Sequence, residues 1–123
     1  MIYLCSPYTS DDPAVRQRRS EAACRAAAEL IRRGHEVFSP IAHSHAICAF
    51  GVPLDWRFWS RHDRRYLEAC DEVAVLMLDG WQQSVGVQAE ATIARELGKP
   101  VTYLRVADQA GENPARLRAG RSL

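Results

Sequence analysis

The stretch LDGWQQSVGVQAE, residues 78–90, decides the fold of this chain. It overlaps the end of an apolar run, residues 73–78, that predicts a buried strand. Ser84 can cap the free amides of a helix that follows, and Gly98 with Pro100 ends that helix. We therefore predict a buried strand, a turn that contains glycine, and a helix, in that order.

One face of this helix carries a carboxylate among apolar side chains. At spacings of three and four residues, the stripe consists of Gly86, Glu90, Ile93, Ala94 and Leu97. Glu90 is therefore predicted to point inward with its apolar neighbours. A buried carboxylate loses its hydration, so either a chemical role or a buried partner must compensate for it.

The rest of the chain alternates short apolar strands with amphipathic helices. We predict strands at 1–5, 36–39, 72–78 and 101–106, and helices at 13–33 and 56–70. Residues 40–54 are predicted to be irregular, and the tail from Asp108 to hold at most two turns of helix near 114–119. Because parallel strands need crossover helices, this alternation predicts a parallel sheet covered on both faces. With 123 residues and 47% hydrophobic content, the chain fits a single domain over residues 1–123.

Composition and charge exclude several classes of protein. Sixteen basic and fifteen acidic residues give no general attraction to nucleic acid or membrane, and the arginines within 16–19 and 61–65 are interpreted as solvated helix faces. The chain has no run of 18 apolar residues and no signal-peptide layout, so we expect a cytoplasmic protein. Four cysteines without a CxxC pair predict buried, reduced thiols rather than zinc ligands or a redox dithiol.

A second carboxylate interrupts the apolar stripe of the helix at 56–70. Asp63 shares that stripe with Trp59, Tyr66 and Leu67. Ligands bind beyond the carboxyl ends of the strands in an open parallel sheet, so the loops after the first three strands should meet there with Glu90 and Asp63. Burial and mutual repulsion would separate the pKa values of the two acids, which yields one carboxylate and one protonated acid. The alternative is structural: each acid caps an amide or pairs with an arginine such as Arg57 or Arg64.

These motifs resemble the nucleoside 2-deoxyribosyltransferase-like family, which includes the 2′-deoxynucleoside 5′-phosphate N-hydrolases. The resemblance covers roughly residues 1–106 and rests on an ordered set of motifs: the strand IYLCSP at 2–7, Asp63 ahead of a strand, the helix start Ser84-x-Gly86-x-x-x-Glu90, and Gly98-Lys99-Pro100. It implies a flavodoxin-like or Rossmann-like three-layer α/β fold with a mostly parallel sheet of four to five strands. It also implies an enzyme that needs no cofactor.

The resemblance assigns roles to individual residues. Glu90 would attack the anomeric carbon of the substrate, Tyr3 would hold that carboxylate, and Asp63 would protonate or position the departing base. Ser84 would bind the 5′ end, where the nucleotide hydrolases carry serine and the nucleoside transferases aspartate. The further candidate ligand-binding residues are Gly86, Ser6, Tyr8, His43, His45 and Asn113. Asn113 would reach the site of a neighbouring subunit, so the resemblance predicts a homodimer or a higher homo-oligomer.

The chemistry of the bond supports these roles independently. Cleavage of an N-glycosidic bond builds positive charge on the sugar, which a carboxylate such as Glu90 stabilises or traps. The departing base gains negative charge, so a desolvated acid such as Asp63 suits it. A phosphate is favoured at a helix amino terminus, and the Ser84 hydroxyl adds a donor there without repulsion. We therefore predict cleavage or transfer at the N-glycosidic bond of a (deoxy)nucleoside 5′-monophosphate.

Other interpretations remain open at this stage. Base exchange between nucleosides would follow if water were excluded from the intermediate, and a non-catalytic nucleotide-binding module is the alternative from a different class. His43 and His45, with His62 and Asp63, would suit zinc, but an HxH pair without a third ligand at fixed spacing is poor support for a metal site. We therefore expect no metal, and we interpret the two loop histidines as lining the pocket.

Overall fold

Four helices and a five-stranded sheet make up the part of the chain that the structure, a computed structural model, describes: residues 1–106 and 117–119. In chain order the elements are β1 Ile2–Cys5, α1 Pro13–Arg32, β2 Val37–Phe38, α2 Pro40–Cys48, α3 Trp56–Ala69, β3 Glu72–Leu76, α4 Val85–Glu96, β4 Val101–Val106 and β5 Leu117–Ala119. The predicted alternation of strands and helices is confirmed.

The sheet has the strand order β2-β1-β3-β4-β5. Strands β1 to β4 pair in parallel, with Ile2 opposite Glu72 and Val73 opposite Val101, while β5 pairs antiparallel to β4. Helices lie on both faces, so the predicted three-layer α/β fold with a mostly parallel sheet is confirmed.

Alternate residues of β1 face opposite layers of the fold. Ile2 and Leu4 pack with Ala26 and Leu30 of α1 in one core cluster. Tyr3 and Cys5 belong to the other cluster, which includes Leu67 of α3 and Val87 and Ala94 of α4. Because side chains alternate along a strand, Tyr3 and Cys5 lie beneath the face of α4 that carries Glu90.

Helix α4 begins and ends where the sequence predicts. The Ser84 hydroxyl accepts a hydrogen bond from the amide of Val87 at 3.2 Å, and Gly98 takes a positive φ of 71° just after the helix. Helix α1 begins in the same way, because the Asp12 carboxylate accepts from the amide of Ala14 at 2.9 Å and Pro13 occupies the first helical position.

The prediction of an irregular stretch at 40–54 is wrong for its first nine residues, which form α2. The Ser39 hydroxyl caps this helix by accepting from the amide of Ala42 at 3.1 Å, and Pro40 occupies its first position. Ser39-Pro40 is the same start signal as Asp12-Pro13. Periodicity does not reveal this helix, because a helix this short, with histidines on its surface, has no clear apolar stripe.

Other boundaries differ by small amounts. Strand β3 ends at Leu76 rather than 78, since the amide of Leu78 turns back to the carbonyl of Leu76 at 2.9 Å. The predicted helix near 114–119 is wrong for 117–119, which form β5. The four cysteines are free, as expected, but only Cys5 and Cys70 are buried; the prediction of buried thiols is wrong for Cys24, which is exposed, and Cys48, which is half-buried. None of the helices in the described residues has the length and apolar character needed to cross a membrane.

Candidate active site

A cavity of about 530 Å³ opens at the carboxyl edge of the sheet. Three segments that the sequence predicts to meet all contribute to its lining: the loop after β1, residues 40–54, and the loop before α4. Side chains of α1, α3 and α4 complete the wall. The cavity therefore lies at the crevice where open parallel sheets bind ligands.

Glu90 lies in the wall of this cavity and is only 4% exposed. The hydroxyl of Tyr3, which is fully buried on β1, donates a hydrogen bond to Oε2 of Glu90. The Cys5 thiol lies 3.5 Å from Oε1 of the same carboxyl group. Both oxygens of Glu90 are thus held by side chains of β1, which fixes the carboxyl group relative to the cavity.

Burial raises the pKa of Glu90 to about 8, although the hydrogen bonds from Tyr3 and Cys5 act in the opposite direction. The charge of Asp63 contributes to the increase. Burial, together with Glu90, also raises the pKa of Tyr3, so Tyr3 stays a neutral donor. Strongly perturbed carboxyl groups in a cleft are typical of functional sites.

Asp63 of α3 lies in the wall of the same cavity and is 8% exposed. Burial raises its pKa, while the neighbouring His62, whose Nδ1 is 3.3 Å from Oδ1 of Asp63, lowers it. The alternative, pairing with an arginine, does not occur among the described residues: Arg64 pairs with Glu68 at 3.4 Å, and neither Asp63 nor Glu90 forms a salt bridge with an arginine. Two desolvated acids therefore share one cavity.

Positively charged side chains also contribute to the cavity wall. Arg19 of α1 donates from its guanidinium to the carbonyls of Thr9 at 3.0 Å and Asp79 at 3.2 Å, which ties two of the lining loops together. Gly80 has a positive φ of 88°, and a Cβ there would lie 2.7 Å from the Arg19 guanidinium. Arg19, which the sequence places on a solvated helix face, is partly exposed and also lines the cavity with Ser84 and Arg57.

The remaining predicted site residues divide into two groups. Ser6, Tyr8 and Gly86 line the cavity, whereas His43 and His45 do not. His45 instead contacts the hydroxyl of Tyr8, and its Nδ1 is 2.7 Å from the Tyr8 oxygen. His43 stacks on His62 with ring centres 5.4 Å apart.

Asn113 lies outside the described residues, so the predicted exchange of a residue between subunits stays a prediction. Within the described residues, no group of three or more histidine, cysteine or acidic side chains is arranged to hold a metal ion. Trp56 and Trp59, which the stripe of α3 directs inward, add two aromatic walls to the cavity.

The buried Glu90 predicts a dependence of stability on pH. Its pKa is near 8 in the folded protein and about 4.5 when unfolded, so the folded state retains a proton that the unfolded state releases. The contribution of Glu90 to the free energy of unfolding should be fully present below a pH of about 4.5. It should be lost as the pH rises through 8, and the total loss should be roughly 4–5 kcal/mol. Glu90→Gln removes this loss, so its melting temperature relative to wild type should be higher at pH 8.5 than at pH 5.

Thermal unfolding of wild type and Glu90→Gln at the two pH values measures this effect. Glu96→Gln, an exposed position on the same helix, is the matched control and should behave as wild type. An equal difference at both pH values would mean that Glu90 is not a buried titrating group.

Comparison with known proteins gives a family but no activity. Residues 1–106 match the family model described as a domain of unknown function, DUF1937. The sequence has no significant match among curated proteins. The matched residues include β1 to β4 and every described side chain of the cavity wall. The chain therefore belongs to the DUF1937 family.

Proposed function

We propose that this protein cleaves the N-glycosidic bond of a 2′-deoxynucleoside 5′-monophosphate with Glu90 as its nucleophile. The observation that carries the proposal is the carboxyl group of Glu90, buried in the cavity wall and held by Tyr3, with the second acid Asp63 in the same wall. A carboxylate held at a fixed position suits attack on an anomeric carbon, and a second desolvated acid suits protonation of a leaving base.

In the first step, an oxygen of ionised Glu90 forms a bond to C1′ while the bond from C1′ to the base nitrogen breaks. The bonding electrons leave with the base, and Asp63 gives it a proton. In the second step, Asp63 accepts a proton from water as the water oxygen attacks C1′ and Glu90 departs. The products are the free base and 2-deoxyribose 5-phosphate, and both acids return to their starting states.

Burial and the charge of Asp63 favour protonated Glu90 in the free site, so the reaction begins from the less populated state in which Glu90 is ionised and Asp63 is protonated. Glu90 must be ionised to attack, and its pKa of about 8 means that the ionised fraction grows as pH rises toward that value. The positive charge that develops on the sugar during the reaction favours the ionised form of Glu90. The Tyr3 hydroxyl, kept neutral by its raised pKa, supplies a donor to the carboxylate throughout.

Other residues of the cavity wall support binding of a 5′-phosphate. Ser84 stands at the amino terminus of α4, where the free amides and the helix dipole favour an anion. Arg19 and Arg57 add positive charge to the same cavity. A phosphate dianion is the group of a nucleotide that gains most from such surroundings.

The test is incubation with a panel of nucleosides and their 5′-monophosphates, with free base measured by chromatography. Addition of a different free base to a parallel set of reactions distinguishes hydrolysis from base exchange, since only exchange yields a new nucleotide. Release from a 2′-deoxynucleoside 5′-monophosphate would support the proposal. Binding of a nucleotide without release of base from any member of the panel would favour the nucleotide-binding module instead. This assay does not address the homodimer or the cytoplasmic location, which stay predictions.

We expect Asp63→Asn to slow substrates with poor leaving bases more than substrates with good ones, because only the former need the proton. The loss for a poor leaving base should be about a hundredfold or more in kcat. The measurement is kcat for a monophosphate of a natural base and for one of an activated base, in wild type and variant. Equal losses for both would make Asp63 a structural residue.

A further inference from the structure

The thiol of Cys5 is within hydrogen-bond distance of two acceptors on α4. Its Sγ lies 3.5 Å from Oε1 of Glu90 and 3.8 Å from the backbone carbonyl oxygen of Val87, three residues earlier on the helix. The side chain is fully buried in the core cluster that β1 shares with α4, so it has no access to solvent. Burial and the neighbouring Glu90 raise the pKa of this thiol well above its usual range, so the thiol keeps its proton. One proton therefore faces two acceptors.

Tyr3, the other donor to Glu90, has no such choice. Its hydroxyl donates to Oε2 of Glu90, and among the described residues it has no second acceptor. When Glu90 takes up a proton, Tyr3 therefore continues to donate to Oε2, and the added proton occupies Oε1. A protonated carboxyl oxygen is a poor acceptor, so in this state the Cys5 thiol loses the better of its two partners.

We propose that Cys5 is a positioning residue for Glu90, and that its proton follows the ionisation of that carboxyl group. The thiol donates to Oε1 while Glu90 is ionised, and it turns to the carbonyl of Val87 when Glu90 is protonated. Rotation of the S–H bond is enough, since both acceptors lie within 3.8 Å of the sulfur. The thiol thus has a partner in either state, so Glu90 can gain or lose its proton without a rearrangement of β1 or α4.

The effect of the thiol on Glu90 has a definite sign. The titratable side chains that act on this carboxyl group are Tyr3 and Cys5 of β1 and Asp63 of α3. The hydrogen bonds from Tyr3 and Cys5 lower the pKa of Glu90, whereas burial and Asp63 raise it. Cys5→Ala removes one of the two donors to the ionised form, so the pKa of Glu90 should rise above its value of about 8. Because a thiol is a weak donor, we expect this rise in pKa to be about 0.5–1.

Carbon-13 NMR of the glutamate carboxyl groups measures this pKa without any substrate, and the signal of Glu90 is the one that Glu90→Gln lacks. Cys5→Ser retains a donor, so it should restore most of the wild-type pKa. Cys70→Ala is the matched control, because Cys70 is a buried cysteine of the same core cluster that does not act on Glu90. The proposal would be overturned by an unchanged pKa in Cys5→Ala, by an equal rise in Cys70→Ala, or by a pKa in Cys5→Ser that matches Cys5→Ala.

The infrared S–H stretching band follows the thiol proton directly in a protein that retains Cys5. Serine at Cys24 and Cys48, the two cysteines that are not buried, leaves only the bands of Cys5 and Cys70. The Cys5 band should shift as the pH passes through the pKa of Glu90, because a carboxylate and a backbone carbonyl differ in strength as acceptors. The Cys70 band should stay constant, and neither band should shift once Glu90→Gln is added. A Cys5 band that does not respond to pH would overturn the proposal.

For activity, the inference rests on the proposed function, in which Glu90 must be ionised to attack. Below the pKa of Glu90, kcat/KM for wild type divided by kcat/KM for Cys5→Ala should be about three to ten, because the ionised fraction is smaller in the variant. Above both pKa values this ratio should fall to about one. A raised pKa in Cys5→Ala without base release from any substrate would refute the proposed function and leave the role of Cys5 intact. Base release with an unchanged pKa would do the reverse.

Discussion

Glu90→Gln is expected to retain the fold and to lose base release by at least about a thousandfold in kcat/KM. Glutamine keeps the shape of the side chain, but an amide neither carries the charge that stabilises the sugar cation nor forms the covalent intermediate. Removal of a buried group with a raised pKa should also make the variant more stable than wild type at alkaline pH. Lost activity in a protein of undiminished stability is the signature of a functional carboxylate.

The measurement is kcat/KM for the best substrate of the nucleotide panel, with Glu96→Gln as the control on the exposed face of α4. Tyr3→Phe is a second comparison, because it leaves the carboxylate in place without the hydrogen bond from Tyr3, and we expect a smaller loss than for Glu90→Gln. Wild-type turnover in Glu90→Gln would rule out Glu90 as the nucleophile.

A covalent intermediate offers an independent measurement of the same role. A 2′-fluoro analogue of the substrate destabilises the sugar cation, so it should slow the second step and let the intermediate accumulate. Mass spectrometry should then detect a sugar phosphate on the peptide that contains Glu90. An adduct on another peptide would assign the nucleophile elsewhere.

The sequence predicts most of the fold because periodicity and caps are local signals. The stripe of α4 places Glu90 inward, and Ser84 with Gly98 bounds the helix, as the structure confirms. The stripe of α3 does the same for Asp63. Each signal spans at most a few helical turns, so one sequence is enough to recognise it.

The partners of these residues could not be predicted in the same way. Periodicity says that Glu90 is buried, but the contact with Cys5 of β1 spans 85 positions of sequence and depends on strand order and register. The contact of Tyr8 with His45 depends on α2, whose start signal at Ser39 is followed by no clear apolar stripe. In the case of Arg19 a signal was present, because it lies four residues after Val15 and three before Ala22 on the apolar stripe of α1.

Substitutions at Ser84 are expected to change discrimination at the 5′ position rather than chemistry at the glycosidic bond. Ser84→Ala removes one donor to the phosphate, and a lost hydrogen bond to a charged group costs roughly 1.5–3 kcal/mol, or about ten- to a hundredfold in affinity. The unphosphorylated nucleoside should be affected far less. Ser84→Asp should go further, because its charge repels the phosphate and its oxygens accept from a free 5′-hydroxyl.

Ser84 also has a structural role at the start of α4, which must be separated from phosphate binding. The Ser84 hydroxyl also caps α4 at the amide of Val87, so Ser84→Ala should cost about 1 kcal/mol of stability as well. Asparagine and aspartate both retain a capping oxygen, and they differ in charge alone. Ser84→Asn is therefore the matched control for Ser84→Asp, and the difference between the two isolates the repulsion of the phosphate.

The quantity to measure is kcat/KM for a monophosphate divided by kcat/KM for its nucleoside, in wild type and the three variants. This ratio cancels any effect of the substitutions on folding, because both substrates meet the same protein. It should fall in the order wild type, Ser84→Ala, Ser84→Asp, with Ser84→Asn well above Ser84→Asp. Since Arg19 and the α4 amides remain in every variant, some preference for the phosphate should persist in Ser84→Ala. A ratio that stays constant across all four proteins would remove Ser84 from the phosphate site and leave hydrolase and transferase equally supported.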